Sequence, residues 1–339
     1  MPSKSRPPVI LFPFQQLPSF IQMDLDSLGT AFSVQAMDCR RLAGLIRATL
    51  AVRRIDIVVC WFASLRYIPI AALASLLGKP ICIIAGGYDV AADPAIGYGT
   101  MARPWTRWLG RWLFARARAV AAFSSSAGEE AVANAHVPRE RLTVIPLGFS
   151  ACPSPAMAKT PIVLCVSNID QSTVLRKGLL TIAQLAARMP QVRFILAGGG
   201  DPRMMAMLRA ESGGQLTLLG RVTDEVLQEL YSTALIYIQP SLHEGFGAAV
   251  AEAMLHGCVP IVTPHFSLPE VVGPCGLYAE PRDLAGLEGR IRQVLEGRFT
   301  PPESPRARIL REFPADRRRE ALLALVSGLL TPTRHRTSR

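Results

Sequence analysis

The first half of the chain alternates short apolar runs with longer amphipathic segments. The runs at residues 57–60 and 81–84 contain no polar position, a pattern typical of strands buried on both faces of a parallel sheet. The full pattern predicts strands at 9–14, 31–36, 55–61, 80–85 and 120–123, and helices at 19–28, 40–53, 65–77, 104–118 and 126–135. These elements indicate a parallel α/β domain.

A second strand–helix alternation begins near residue 160. It predicts strands at 162–166, 193–197 and 234–239, and helices at 178–189 and 247–256. The pattern breaks at 147–161 into Gly, Ser, Cys, Ala and three prolines, which is typical of a linker. We therefore predict an α/β fold with two Rossmann-like parallel-sheet domains facing a central cleft. The predicted divisions are 1–150 and 151–315, a closing helix at 316–330, and a disordered basic tail at 331–339.

Composition narrows the class of protein. Half of the residues are apolar and 19% are charged, which excludes general disorder. No uncharged apolar run reaches about 18 residues, so no transmembrane helix is predicted. Pro13, Gln15 and Gln16 interrupt the first apolar run too early for a signal peptide. We therefore expect a cytoplasmic chain.

Cysteine and histidine positions give no sign of a metal site. The seven cysteines form no Cys-x-x-Cys pair and are expected to be reduced, mostly buried thiols. The five histidines are dispersed, without the spacing of zinc ligands. We therefore predict no metal.

The net charge of +11 favours binding to an anionic partner. The basic residues are spread along the chain without a helix-turn-helix, zinc-finger or RNP-like pattern, so nucleic acid is not predicted. The helix that starts at Pro104 places tryptophans on one face and arginines on an adjacent one: Trp105, Trp108 and Trp112, with Arg103, Arg107 and Arg111. Such a helix contacts a membrane surface, or it is a domain helix that buries its tryptophans and leaves its arginines solvated.

The most informative motif is Glu244-Gly245-Phe246-Gly247, followed by a second carboxylate at Glu252. A strand precedes it and a helix resumes at about Gly247, so the glycines lie on a strand-to-helix turn. The backbone amides of Gly247, Ala248 and Ala249 then point out of a helix N-terminus, where phosphate binds well. The two carboxylates lie roughly 10 Å apart at a helical rise of ~1.5 Å per residue. One carboxylate on each side of a phosphate site fits a nucleotide diphosphate sugar.

This motif and its neighbours resemble the family 4, or group 1, glycosyltransferases of the GT-B fold. The resemblance covers about 161–283 and extends more faintly over the N-terminal half. It implies an N-terminal acceptor domain and a C-terminal donor domain. It also implies that Glu252 clamps the ribose, that Glu244 binds hydroxyls of the transferred sugar beside the amides of residues 245–247, and that Lys177, before Gly178, binds the diphosphate.

Several positions are weaker or depart from the family pattern. Family members carry Gly-Arg after the strand at 162–166, whereas this chain has Ser167-Asn168, with Arg176 directly before Lys177. Either Arg176 replaces that arginine, or Asn168 indicates a different phosphate geometry. The loops at Gly199 and Val222 resemble those that hold the nucleotide base.

A glycine-rich turn in the N-terminal half resembles the acceptor-domain turn of some family members. It contains Gly87, Tyr88 and Asp89. Asp89 orients an acceptor hydroxyl, or it stabilises its own turn.

The resemblance implies a retaining hexosyl transfer from a UDP- or GDP-sugar to a glycan or lipid-linked acceptor, in cell-surface polysaccharide or glycolipid synthesis. Arg176, Lys177 and the helix amides would stabilise the leaving charge and Glu244 would orient the sugar, without a cofactor. Many family members resemble peripheral enzymes of the cytoplasmic membrane face. The alternatives are a non-catalytic glycan- or lipid-binding relative and an NAD(P)-dependent oxidoreductase, since Gly245-x-Gly247 is a partial dinucleotide fingerprint in which Val250 replaces the third glycine.

Overall fold

The computed structural model describes residues 6–152 and 158–331, which form two compact units. Within the described residues, the first unit takes in residues 6–94, Gly99–Gly148 and residues 315–331. The second comprises Ala95–Tyr98 and Phe149–Pro314. Residues 153–157 of the predicted linker, and the predicted tail apart from Thr331, lie outside the described residues.

The first unit is built on a six-stranded sheet in which every neighbouring pair is parallel. Its strand order is β2-β1-β3-β4-β5-β6, with β1 Val9–Phe14, β2 Ser33–Asp38, β3 Ile57–Trp61, β4 Ile81–Ala85, β5 Ala119–Ala122 and β6 Leu142–Val144. Strands β3, β4 and β5 are buried at every position, as expected of central strands covered by helices on both faces. The short strand β6 was not predicted, because its three residues carry no clear apolar run.

Five helices connect these strands: α1 Ser19–Gly29, α2 Leu42–Ala51, α3 Ile68–Leu76, α4 Pro104–Arg116 and α5 Ser125–Ala135. The second unit contains α6 Gln171–Arg176, α7 Leu179–Arg188, α8 Pro202–Glu211, α9 Asp224–Thr233, α10 Ala248–Leu255, α11 Leu268–Val272, α12 Leu284–Leu295 and α13 Pro305–Glu312. The last helix, α14 Ala315–Leu330, belongs to the first unit.

A buried ion pair fixes α14 in the first unit. The Arg318 guanidinium donates to both oxygens of Asp24 at 2.7 and 2.6 Å, and the Trp61 indole donates to the same carboxylate at 2.9 Å. A third nitrogen of Arg318 donates to the Ile145 carbonyl at 2.7 Å. Because each charge has hydrogen-bond partners, burial of the pair is tolerated. The predicted closing helix is thus an integral part of the first unit.

The second unit repeats the architecture with another all-parallel sheet. Its order is β12-β11-β10-β7-β8-β9, with β7 Thr160–Val166, β8 Arg193–Ala197, β9 Leu216–Gly220, β10 Ala234–Gln239, β11 Val259–Val262 and β12 Leu277–Tyr278. Two parallel α/β units confirm the predicted fold class. Helix α6 was expected as loop, because its six residues are too short for a periodic signal.

Each sheet has one point where the strand order reverses. In the first unit it lies between β1 and β3, and in the second between β7 and β10. Ligands of open α/β sheets bind outside the carboxyl ends of the strands at such a point. No helix in the described part of the chain is long and apolar enough to cross a membrane.

Candidate active site

Two loops meet at the switch point of the second unit. One follows β7 and carries α6 and Lys177, and the other follows β10 and leads into α10. The amide of Leu242 donates to the Arg176 carbonyl at 2.7 Å. A Cβ at Gly178 would lie 2.5 Å from the Pro240 carbonyl oxygen, so a glycine is needed for the loops to approach this closely.

Helices α7 and α10 both begin at this point behind a glycine in the left-handed region. Gly178 has φ +68° and Gly247 has φ +93°. By contrast, the N-termini of α6, α8 and α9 are capped by the side chains of Asp170, Asp201 and Thr223. Since glycine offers no side-chain acceptor, the first-turn amides of α7 and α10 are left for solvent or a ligand. Their dipoles favour an anion.

A charged pair lies beside these helix ends. Arg176 Nη1 is 3.5 Å from Glu244 Oε2 and donates to the His243 carbonyl at 3.1 Å. Both side chains are largely buried, 12% and 14% exposed. Gln239 Nε2 also donates to Glu244 Oε2 at 2.8 Å, which fixes the carboxylate. Arg176 Nε is buried without a partner among the described residues, an orphaned donor that fits an anionic ligand. The structure thus brings together the predicted Arg176 and Glu244.

Glu252 lies one turn into α10, and Tyr231 of α9 donates to its Oε2 at 3.2 Å. Burial raises the pKa of Glu252 above its ordinary value. The Tyr231 hydrogen bond and the charge of Lys177 act in the opposite direction, so Lys177 and Glu252 are electrostatically coupled. Glu252 on α10 and Lys177 before α7, both predicted to bind the nucleotide sugar, therefore lie close enough to interact electrostatically.

The side chain of Phe246 has a packing role. It is 3% exposed, stacks on Phe149 with ring centroids 6.0 Å apart, and meets Phe313 edge-on at 5.4 Å. Only the backbone of residue 246 is therefore available for the predicted contact with the nucleotide sugar. The predicted roles of the Gly245 and Ala248 amides stay predictions.

Three glycines after β8 connect the neighbouring turns. Ile169 N donates to the Gly199 carbonyl at 3.0 Å, and Gly198 N donates to the Gly220 carbonyl at 2.8 Å. A Cβ at Gly198 would lie 1.9 Å from the Ser167 carbonyl oxygen. The turns after β7, β8 and β9 are consequently held together at the site edge. The predicted base-binding roles of Gly199 and of Val222, two residues after β9, stay predictions.

The Asp89 carboxylate binds backbone amides of its own turn and of the loop after β3. It is 2% exposed and accepts from the amides of Ala63, Gly86 and Gly87 at 2.9, 3.0 and 3.1 Å. Burial raises the pKa of Asp89 to about 6, although these amides lower it. The structure thus shows the turn-stabilising alternative. Tyr88 next to it is 53% exposed.

Sequence reasoning missed an aromatic cavity at the switch point of the first unit. The cavity is about 330 Å³ in volume, and its aromatic walls are Phe14, Phe20, Trp61, Phe62 and Tyr67. Phe62 has a left-handed backbone, φ +63°, which costs energy in a non-glycine residue. The available signal was the aromatic residues clustered just after the first and third predicted strands.

Sequence reasoning also missed Tyr98. Its ring lies 4.8 Å from the Arg176 guanidinium and 4.9 Å from the His243 ring. Tyr98 belongs to residues 95–98, the part of the N-terminal half that packs with the second unit. No local pattern could have found it, because the contact joins positions far apart in the sequence.

The basic helix α4 leaves two of its tryptophans exposed. Trp105 is 61% exposed and Trp108 is 67% exposed, whereas Trp112 packs against the core of the first unit. Three arginines of the helix donate to backbone carbonyls: Arg107 to Met101, Arg111 to Asn134 and Arg116 to Trp112. The alternative in which the helix buries its tryptophans and solvates its arginines is wrong for Trp105 and Trp108, which are exposed, but it holds for Trp112.

Comparison with known families matches both units of the chain. The family described as "Glycosyl transferases group 1" matches residues 160–297, and the family described as "Glycosyl transferase 4-like domain" matches residues 9–148. The chain belongs to the group 1 glycosyltransferases.

Two curated relatives come from Escherichia coli. O-antigen chain mannosyltransferase B is 39% identical over 127 residues, which are 35% of this chain and 33% of the relative. The serotype-specific mannosyltransferase WbdA is 30% identical over 208 residues, which are 55% of this chain and 25% of the relative. The matched part of the chain thus spans a third or less of these relatives.

Solved structures share the fold. The Anabaena protein HepE, in complex with UDP and glucose, superposes with a TM-score of 0.76 at 17% identity, covering 95% of this chain and all of HepE. Sucrose-phosphate synthase from Thermosynechococcus elongatus gives a TM-score of 0.77 at 19% identity, covering 96% of this chain and 99% of the synthase. At these identities the likeness shows the GT-B fold alone.

Proposed function

We propose that the chain transfers a hexose from a nucleotide diphosphate sugar to a glycan or lipid-linked acceptor, with retention of configuration. The observation that carries the proposal is the second unit's switch point, where two glycine-led helix N-termini meet the Arg176–Glu244 pair. This arrangement places hydrogen-bond donors for a diphosphate next to a carboxylate that accepts hydrogen bonds from sugar hydroxyls.

Charge stabilisation is the main catalytic contribution that these residues offer. The first-turn amides of α7 and α10, with Lys177 and Arg176, bind the diphosphate as negative charge grows on it during departure. The departing diphosphate accepts the proton of the acceptor hydroxyl on the same face of the sugar, so no protein nucleophile is assigned. Catalysis rests on positioning and preorganised charge, and the proposal assigns no step to a metal or cofactor.

The two carboxylates have separate roles in this proposal. Glu244, fixed by Gln239 and Arg176, accepts from hydroxyls of the transferred sugar. Glu252, which receives one hydrogen bond from Tyr231, accepts from the ribose hydroxyls. A carboxylate has about four acceptor sites, so both residues retain capacity for a ligand.

Mannose is the first candidate for the transferred sugar, because both curated relatives described above are named mannosyltransferases. The acceptor is assigned to the aromatic cavity of the first unit, at the carboxyl ends of β1 and β3. Aromatic walls suit the apolar face of a pyranose ring. The family and the relatives together favour polysaccharide or glycolipid synthesis.

Contact with the cytoplasmic face of a membrane is part of the proposal. Besides Trp105 and Trp108, helix α2 presents an exposed apolar stripe of Leu42, Ile46 and Leu50, at 66%, 50% and 54% exposure. Exposed apolar side chains on a basic protein favour adsorption to anionic lipid.

The test is a transfer assay of the purified chain with UDP-, GDP- and ADP-sugars, with and without lipid extract. We expect turnover with one nucleotide class, and NMR of the product should show retention at the anomeric carbon. Inversion would contradict the proposed mechanism. Donor or glycan binding without turnover would support the non-catalytic relative instead. Absence of both donor binding and transfer would overturn the proposal.

Vesicle sedimentation tests the membrane contact. The chain should pellet with anionic vesicles and stay in solution with neutral ones. A double variant, Trp105→Ala with Trp108→Ala, should reduce the pelleted fraction without changing donor affinity. Equal sedimentation with both vesicle types, or none with either, would remove membrane contact from the proposal.

A further inference from the structure

A cysteine, a histidine and an arginine come together in the second unit, away from Arg176 and Glu244. Cys152 Sγ lies 3.7 Å from His256 Nε2, and Arg306 Nη1 donates to the same sulfur at 3.3 Å. His256 is the C-cap of α10, and Arg306 lies on α13. The three residues thus bring a thiol, a base and a permanent cation within contact of one another.

The hydrogen bond on the other side of the ring sets the tautomer of His256. Its Nδ1 lies 2.8 Å from the Glu252 carbonyl oxygen, which can only accept, so Nδ1 carries the proton. Burial lowers the pKa of His256 below its ordinary value, and the nearby charges of Lys159 and Arg306 act in the same direction, whereas the hydrogen bond to the Glu252 carbonyl opposes them. The ring is therefore neutral near pH 7, with Nε2 unprotonated and facing the thiol.

Arg306 holds the cysteine in place from two sides. Besides the sulfur, the guanidinium donates to the Cys152 carbonyl and, at 2.8 Å, to the Leu255 carbonyl. A guanidinium beside sulfur stabilises the thiolate, and the thiolate is the nucleophilic form of cysteine. Cation, base and thiol are thus fixed relative to one another.

Exposure separates Cys152 from the other cysteines. Six of the seven are buried, and Cys152 alone is partly exposed. Cys258 is a natural control, because it also has a cation close by, Lys159 Nζ at 3.6 Å. It is fully buried, however, and burial raises the pKa of its thiol to about 11. A cation without access therefore leaves a cysteine unreactive.

We propose that Cys152 is an activated thiol and a site of covalent modification by peroxides and soft electrophiles. His256 Nε2 takes the thiol proton, and the sulfur attacks one oxygen of a hydroperoxide. The O–O bond breaks, the departing oxygen receives the proton from His256, and the products are a Cys152 sulfenic acid and water or an alcohol. With an alkylating agent the sulfur displaces the leaving group and forms a thioether.

The modified sulfur lies close to the candidate donor site. Tyr231 stacks on His256 with ring centroids 5.5 Å apart, and the same tyrosine donates to Glu252. The proposal itself concerns the thiol and holds whether or not the chain transfers a sugar, because its test needs no nucleotide.

The test is time-resolved alkylation of the whole folded chain with iodoacetamide at pH 7, with each cysteine followed by peptide mass spectrometry. Cys152 should react about tenfold faster than any of the other six. His256→Asn keeps a donor for the Glu252 carbonyl and removes the base, so it should slow Cys152 about tenfold; Cys258→Ser should leave its rate unchanged. Treatment with hydrogen peroxide and a sulfenic-acid probe should label Cys152 first.

Circular dichroism before labelling ensures that only folded variants are compared. If His256→Asn does not fold, Arg306→Gln supplies the second test and should slow the reaction through loss of the cation. Labelling of Cys152 no faster than of the buried cysteines would overturn the proposal. So would an unchanged Cys152 rate in a folded His256→Asn or Arg306→Gln variant.

Discussion

The two sheets share one architecture but have opposite chemistry at their switch points. The edge of the second unit combines glycine-led helix ends, Arg176, Lys177 and two carboxylates. The edge of the first unit is an aromatic cavity, and the carboxylates of Asp89 and Asp24 near it are already used within the fold. Asp89 accepts from three backbone amides, and Asp24 accepts from Trp61 and Arg318. Two all-parallel six-stranded sheets therefore provide a polar site in one unit and an apolar one in the other.

The difference between the two units is clearest in two buried carboxylates, Asp89 of the first unit and Glu252 of the second. Burial raises the pKa of both Asp89 and Glu252, so a raised pKa does not distinguish a ligand-binding carboxylate from a structural one. The difference lies in the partners, because Asp89 accepts from three backbone amides and Glu252 from one tyrosine hydroxyl. Counting unused acceptor positions is more informative here than the direction of a pKa shift.

The largest expected effect comes from the charge beside the helix ends. Lys177→Ala should lower kcat by about 10²–10³-fold, because it removes a cation from the leaving diphosphate. Steady-state kinetics measure this, with Lys79→Ala of the first unit as the control. Equal turnover of wild type and Lys177→Ala would remove the proposed role of this lysine.

Substituting the two carboxylates tests their contrast directly. Glu252→Ala should raise the donor Kd about 10- to 100-fold, or about 1.4–2.8 kcal/mol, with little loss of stability. Asp89→Ala should leave the donor Kd unchanged and cost about 2 kcal/mol of unfolding free energy, because three amides lose their acceptor. Calorimetric titration and urea unfolding measure the two effects, and the reverse pattern would refute the assignment.

Changes in the aromatic cavity of the first unit should affect binding of the acceptor and leave binding of the nucleotide sugar unchanged. Phe20→Ala removes a ring packed 5.3 Å from Trp61 and should raise the acceptor KM about five- to tenfold at an unchanged donor Kd. Val144→Ala, at an exposed position of the same unit, is the control. A rise in donor Kd that matches the rise in acceptor KM would show that the two edges do not have separate roles.

The pH dependence of stability distinguishes Asp89 further. Its pKa is about 6 in the folded chain and 3.8 for the ordinary group, so ionisation of Asp89 disfavours the folded state. Its contribution is most favourable below about pH 4 and is lost as the pH rises through about 6. The unfolding free energy of wild type relative to Asp89→Asn should therefore fall between pH 4 and pH 6.5. A difference that stays flat or rises over this range would contradict the buried carboxylate.

The smallest expected effect is that of a metal chelator. Because Arg176 and Lys177 carry the charge stabilisation in the proposed mechanism, EDTA should leave kcat unchanged within error. Loss of turnover with EDTA, restored by a divalent cation, would show that these side chains are insufficient.

Most of the fold could be predicted from the sequence. Strands β1, β8 and β10 were predicted with their observed bounds, because central parallel strands are continuous apolar runs. Helix α6 and strand β6 were missed, since both are too short for periodicity to be visible. The predictions also did not include the following elements of the second unit: β9, β11, β12, α8, α9, α11, α12 and α13. The docking of α14 depends on the long-range pair Arg318–Asp24, which leaves no local signal.

Only the part of the candidate site that lies within one continuous sequence motif, Glu244 to Glu252, could be predicted. Residues 234–252 form a strand, a turn and the start of a helix in sequence, so their geometry follows from local rules. The fixing of Glu244 by Gln239 and Arg176, and the packing of Tyr98 on Arg176, depend on which loops fold beside one another. Whether Asp89 bound a ligand or its own turn likewise required knowing the path of the Ala63 backbone.

A crystal structure of the chain with its nucleoside diphosphate bound tests the central assignment most directly. We predict that the diphosphate oxygens lie within about 3 Å of first-turn amides of α7 and α10, with Lys177 beside them and Glu252 on the ribose. A nucleotide bound at the aromatic edge of the first unit, or with its diphosphate away from both helix ends, would contradict the assignment.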